Sequence, residues 1–138
     1  MRRFLGALLF VAVAFVAAGC ADNTPATPSV ITPVQTTDAL DGSLTTGGAL
    51  FHVITARVGQ VVMTMEGISD PSMKLGMQIG VYSTLSCTGV MENPSATIGS
   101  TLVGVTTSQT QLCVKIFDAN NLIPADTSIA YHVTVQHY

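Results

Sequence analysis

Three histidines, three cysteines, two glutamates and a cluster of Asp and Asn are the side chains from which this chain of 138 residues could build chemistry. His132 and His137 are an odd number of residues apart, so a single strand would turn them to opposite faces. A zinc site needs three or four ligands, so His52, His132 and His137 do not by themselves predict a transition-metal centre. His137, near the end of the sequence, is expected to be solvated. The hydrolase signature G-x-S-x-G is absent: "GIS" at 67–69 runs into Asp70-Pro71, and "IGST" at 98–101 lacks the second glycine. Glu66 is expected on an exposed strand face and Glu92 in a loop. An enzymatic site would have to be assembled from scattered residues such as His52, His132 and Asp118, brought into one pocket.

Calcium has one weak set of candidate ligands, Asp118, Asn120, Asn121 and Asp126. Asp- and Asn-rich turns arise more often for backbone reasons, and an EF-hand-like loop would need more acids at alternate positions. No cofactor is expected. Stacking of a sugar would fall to Tyr82 and Tyr138, because the chain has no tryptophan and Tyr131 falls on a face that reads as buried. The methionines Met63, Met65, Met73, Met77 and Met91 read first as core filler and second as a protein-contact surface.

These residues must be positioned by strands. From Asp38 onward no helical periodicity is present, while Thr, Val and Ile are frequent and turn residues recur every 8 to 12 positions or so, the spacing of a sandwich or barrel. In "QVVMTMEGI", Val61, Met63 and Met65 share one face. In "QLCVKIFD", Leu112, Val114 and Ile116 do the same, as do Tyr131, Val133 and Val135 in "SIAYHVTVQHY". Such alternation means one buried and one wet face, as in antiparallel sheets. Strands are predicted at 40–45, 49–57, 60–67, 75–83, 99–106, 110–118 and 128–137. Gly47-Gly48, Val58-Gly59 and Asp118–Asn121 are predicted to close hairpins, and Cys87 to Ser95 to form a loop.

The first residues are of another kind. Met1-Arg2-Arg3 is a short positive segment, Phe4–Ala18 an apolar run, and Ala17, Ala18 and Gly19 are small, which is the anatomy of a secretory signal peptide. A retained transmembrane helix is the alternative, but the run is shorter than the ~20 residues that span a bilayer. Ala17-Ala18-Gly19-Cys20 resembles the lipobox of bacterial lipoproteins, in which the cysteine is acylated and becomes the new N-terminus. Leucine usually stands where this chain has Ala17, so cleavage after Gly19 without lipid remains the other reading. Lipidation of Cys20 would leave Cys87 and Cys113 as a natural disulfide pair and no loose thiol. Two or three acyl chains would anchor firmly, and Ala21 resembles the outer-membrane sorting pattern, so the expected location is the outer membrane, facing periplasm or cell surface. Residues 20–37, with Pro25, Pro28 and Pro33, read as a lipidated tether, and 38–138 as one domain.

The order "GSLTTGG", "FHVITARVGQVVMTM", "LGMQIG", "LCVKIFDANNL", "YHVTVQHY" resembles the pre-peptidase C-terminal-like domains of bacterial exported proteins. That resemblance implies an all-β antiparallel sandwich of jelly-roll type, with about seven or eight strands and no active site that comes with the fold. It also implies a binding or scaffold module at the envelope, with a protein or polysaccharide partner. An accessory role to an exported enzyme and self-assembly through sheet edges are the alternatives. From Cys20 onward three basic residues face eight acidic ones, a net charge of −5, which excludes the basic patch that nucleic acid requires.

Overall fold

The computed structural model describes residues 32–138; the segment read as a signal peptide, Cys20 and most of the segment read as a tether lie outside the described residues. Eight strands follow one another: β1 Thr36–Leu44, β2 Ala49–Ala56, β3 Gly59–Ile68, β4 Leu75–Ser83, β5 Ser86–Ala96, β6 Thr101–Thr106, β7 Thr110–Phe117 and β8 Ile129–His137. They form two four-stranded sheets, ordered β1-β8-β3-β6 and β2-β7-β4-β5, and every pairing is antiparallel. The chain changes sheet at each connection except β4 to β5. This strand order is that of an eight-stranded jelly roll, two packed sheets joined by Greek-key connections.

Alternation is what holds the sheets together. On β3, Val61, Met63 and Met65 are buried, and on β8 so are Tyr131, Val133 and Val135. From the other sheet, Leu75, Met77 and Ile79 of β4 and Leu112, Val114 and Ile116 of β7 meet them. Every second residue therefore enters a single core, and each fully buried side chain of this size contributes about 1.5–3 kcal/mol. Met63, Met65 and Met77 act as filler in that core, as expected.

Several expectations need correction. The segment 87–95 is not a loop: it belongs to β5, an eleven-residue edge strand whose pairing with β4 shifts register twice, so Cys87 and Glu92 sit on a strand. The turn at Gly47-Gly48, closed by Gly48 N–H donating to Thr45 C=O at 2.8 Å, joins strands of different sheets. The same holds for Val58-Gly59 and for Asp118–Asn121, so none of the three closes a hairpin. The hairpin lies instead between β4 and β5. Ser83 pairs with Ser86 across Thr84-Leu85, and both central residues have positive φ, 48° and 62°, as a type I′ turn demands. The first strand begins at Thr36, two residues inside the segment read as tether.

Candidate binding face

The histidines are distributed by the pleat. His132 points outward from β8 and donates through Nδ1 to Asp41 Oδ1 at 2.7 Å. His137 points inward, is 6% exposed, and donates through Nε2 to Asp38 Oδ2 at 2.9 Å. It is therefore not solvated, because β1 lies alongside β8 to its end and brings Asp38 over it. His52 is half-buried on β2, and its Nε2 lies 3.4 Å from the hydroxyl of Tyr131. Burial, and after it the nearby Asp41 carboxylate, pushes the Tyr131 phenol above its ordinary pKa.

Asp118 follows the last residue of β7 and is 7% exposed. Its carboxylate accepts from the backbone N–H of Gly47 at 3.0 Å, Leu122 at 2.8 Å and Ile123 at 3.2 Å. Burial raises its pKa, but the backbone N–H groups of Gly47, Leu122, Ile123 and Asn120 outweigh it and hold the group below the ordinary carboxylate range. One side chain thus ties the β1–β2 turn to the loop after β7. Asn121 and Asp126 stand at φ 53° and 61°, so this Asp/Asn cluster shapes backbone. Among the described residues no group of three or more His, Cys, Asp or Glu could hold a metal ion.

His52, His132 and Asp118 do not share a pocket. The first faces the core from one sheet, the second faces outward from the other, and the third is engaged with loop amides. Glu66, on an exposed strand face as expected, accepts from the Thr134 hydroxyl at 3.0 Å.

The cysteine pair is a disulfide, Cys87–Cys113, with Cα atoms 5.7 Å apart and 26 residues of separation. Its placement is unusual in one respect. In hydrogen-bonding order β4 lies between β5 and β7, so the bridge passes over β4. It can do so because Gly80, which pairs with Cys113, has no side chain. A Cβ there would fall 2.3 Å from the Thr88 carbonyl oxygen and 3.1 Å from Cys113 Sγ.

The same glycine logic shapes the rest of that outer face. Across β2, β7 and β4 the outward rows are Ala49–Phe117–Gly76, Phe51–Lys115–Gln78 and Val53–Cys113–Gly80. The Phe117 ring lies over Gly76, where a Cβ would meet it at 2.4 Å. Lys115 Nζ stands 5.0 Å from the centre of the Phe117 ring, a cation–π distance. Phe51 and Tyr82 approach with ring centroids 6.1 Å apart, within the range of favourable aromatic pairs. Phe51 remains 45% and Val53 41% exposed. The result is a low aromatic and aliphatic platform bounded by the disulfide. Tyr82 was expected as a stacking residue, but Phe51 and Phe117 were not. The signal for them, alternation opposite glycines on a neighbouring strand, needs the pairing register.

The structure is an all-β sandwich of two four-stranded antiparallel sheets. No protein-family model matches the chain, and no curated protein matches its sequence. Among solved structures, the crystal structure of Aeromonas hydrophila PliG, a periplasmic lysozyme inhibitor of g-type lysozyme, is similar at 13% identity and a TM-score of 0.49. The match covers 72% of this chain and 83% of that one. A likeness of that degree assigns no activity.

Proposed function

We propose that the chain is an exported, non-enzymatic binding module of the bacterial envelope, anchored by lipid on Cys20 and engaging a protein partner through the outer face of β2, β7 and β4. The observation that carries the reading is the platform of Phe51, Val53 and Tyr82, apolar and aromatic area left in water on a face smoothed by Gly76 and Gly80. Aromatic side chains at the centre of such a patch are the kind that dominate protein interfaces. The histidines and Asp118 are meanwhile engaged within the domain itself. The lipobox-like Ala17–Cys20 segment and the Pro/Thr-rich tether support the anchor.

A photo-crosslinking residue placed at Phe51 in the producing cell tests the face. A discrete crosslinked species is expected there and not from the same group at Gln136, an exposed outward position on the other sheet. Identical patterns from both positions, or none from Phe51, would refute it. The anchor is tested separately: Cys20→Ala should move the protein out of the membrane fraction, and unchanged fractionation would remove that part of the proposal.

Self-assembly through sheet edges has less support. Of the four edge strands, β6 is short, six residues, and β5 is interrupted by two register shifts, features that blunt edge-to-edge pairing on that side of the sandwich.

A further inference from the structure

At the side of the sandwich where β5 and β6 are the edge strands, the two sheets enclose a cleft of about 230 Å³. Its origin is a missing side chain. The inward positions of β6 are Leu102, Gly104 and Thr106, and the middle one presents only hydrogen to the core. A Cβ on Gly104 would stand 3.6 Å from Met91 Sδ, an ordinary contact, so the site has room for a side chain that the sequence does not supply. Val61, Ile79, Met91 and Leu112 form the walls. Val90 and Val105, 69% and 75% exposed, line its margin. Thr107, Ser108 and Thr110 add hydroxyls where β6 turns into β7. The Thr106 hydroxyl is already spent on the carbonyls of Arg57 and Gly59.

We propose that this cleft is a binding site for the alkyl chain of a small neutral amphiphile, its polar end at the hydroxyls of Thr107, Ser108 and Thr110. Charge decides the class, because no ionisable side chain lines the cleft. A charged group drawn inside would lose its hydration without a partner, whereas an alkyl chain loses nothing by leaving water. Size agrees. An apolar cavity of ~150 Å³ stays dry and accepts benzene, and this one is larger and open. At water's ~30 Å³ share per heavy atom, it accommodates roughly seven or eight chain atoms. A bound chain would also cover the exposed valines at the margin, apolar area of the kind that marks ligand grooves. The site lies between the two sheets, whereas the aromatic platform lies on the outer face of the β2-β7-β4-β5 sheet.

The test is a series of linear alcohols, 1-butanol to 1-decanol, titrated into the anchor-free full chain (Cys20→Ala) and followed by methyl resonances in NMR. Saturable shifts are expected at Met91, Val61, Ile79 and Leu112. Affinity should rise about fourfold per added methylene and then stop rising near 1-octanol, where the cleft is full. Gly104→Leu, which fills the space, should abolish the shifts. Should that variant fail to fold, Gly104→Ala decides: one excluded methylene is expected to weaken binding about fourfold. No saturable shift up to the solubility limit would overturn the proposal. So would a series without a break, shifts centred on Phe51 and Val53, or unchanged affinity in the Gly104 variants. Sedimentation showing a dimer that alcohol does not dissociate, with the same resonances buried, would assign the cleft to a second copy instead and also overturn it.

Discussion

Replacing Asp118 by alanine removes the acceptor of three backbone amides at once. Their surroundings differ, and that sets the size of the effect. Gly47 and Leu122 are exposed, so water can take up their N–H groups, leaving a loss of about 1 kcal/mol each. Ile123 is buried, and its N–H would be left without a partner at a cost of about 2 kcal/mol. The expected destabilisation is therefore about 4 kcal/mol, a fall of at least about 15 °C in Tm for a domain of this size. Asp118→Asn keeps one oxygen acceptor and the shape while losing the charge, and should lose about half as much. Urea unfolding of the oxidised protein, followed by circular dichroism, measures both variants. The pH dependence adds a second constraint. The folded-state pKa of Asp118 is depressed, so its contribution is fully present above the unfolded carboxylate value of about 3.9. It is lost as pH falls from there through the folded value. The stability gap between wild type and Asp118→Asn should accordingly narrow below about pH 4. A loss under about 1 kcal/mol for Asp118→Ala, or a gap that stays constant into acid, would refute the account.

Replacing both Cys87 and Cys113 by serine opens a 26-residue separation and should cost about 3.5 kcal/mol by the chain-entropy relation; equilibrium unfolding of the double variant measures it. Gly80→Ala places a methyl against the Thr88 carbonyl oxygen, and β5 must lift to admit it, so destabilisation of at least about 1–3 kcal/mol is expected. The same variant should leave more free thiol after oxidative refolding, counted by alkylation and mass spectrometry. Gly42→Ala meets the Tyr131 hydroxyl at 2.3 Å and its ring at 2.5 and 2.9 Å, so a loss of about 1–3 kcal/mol is expected; a Tm equal to wild type would show that the Tyr131 ring is not held where it stands.

Strands that face the core along their whole length were legible. β3, β7 and β8 bury every second residue, and that period is written in "VVMTM", "LCVKI" and "YHVTV". β5 was not legible, because it is an edge strand with little to bury. Its residues are mostly exposed, two register shifts break the period, and Gly89, Asn93 and Pro94 carry turn signals; Pro is tolerated at a sheet edge. The turn residues at Gly47-Gly48, Val58-Gly59 and Asp118–Asn121 located bends correctly but not the partners. A jelly roll sends consecutive strands to opposite sheets, so Gly47-Gly48 marks a crossing and looks in sequence like a hairpin. The hairpin itself, Thr84-Leu85, has neither Gly nor Asn at its two positive-φ positions. The aromatic platform and the Gly104 cleft depend on which residues stand opposite one another across strands and across sheets, and no local window of sequence contains that.

The way the chain enters the domain determines how it would bear a mechanical load. Thr36 begins β1, an edge strand whose ladder with β8 starts at Thr36–His137 and runs to Leu44–Ile129. A pull that separates the segment before Thr36 from the end of β8 beside it would not shear the whole ladder at once but open it from one end, rung by rung. The early rungs are those reinforced by side chains, Asp38 held to His137 and then Asp41 held to His132. Those two links act as a latch at the point where tension arrives. If they yield, the strand released is the outermost, leaving β8 still paired with β3 and the aromatic platform of the opposite sheet in place.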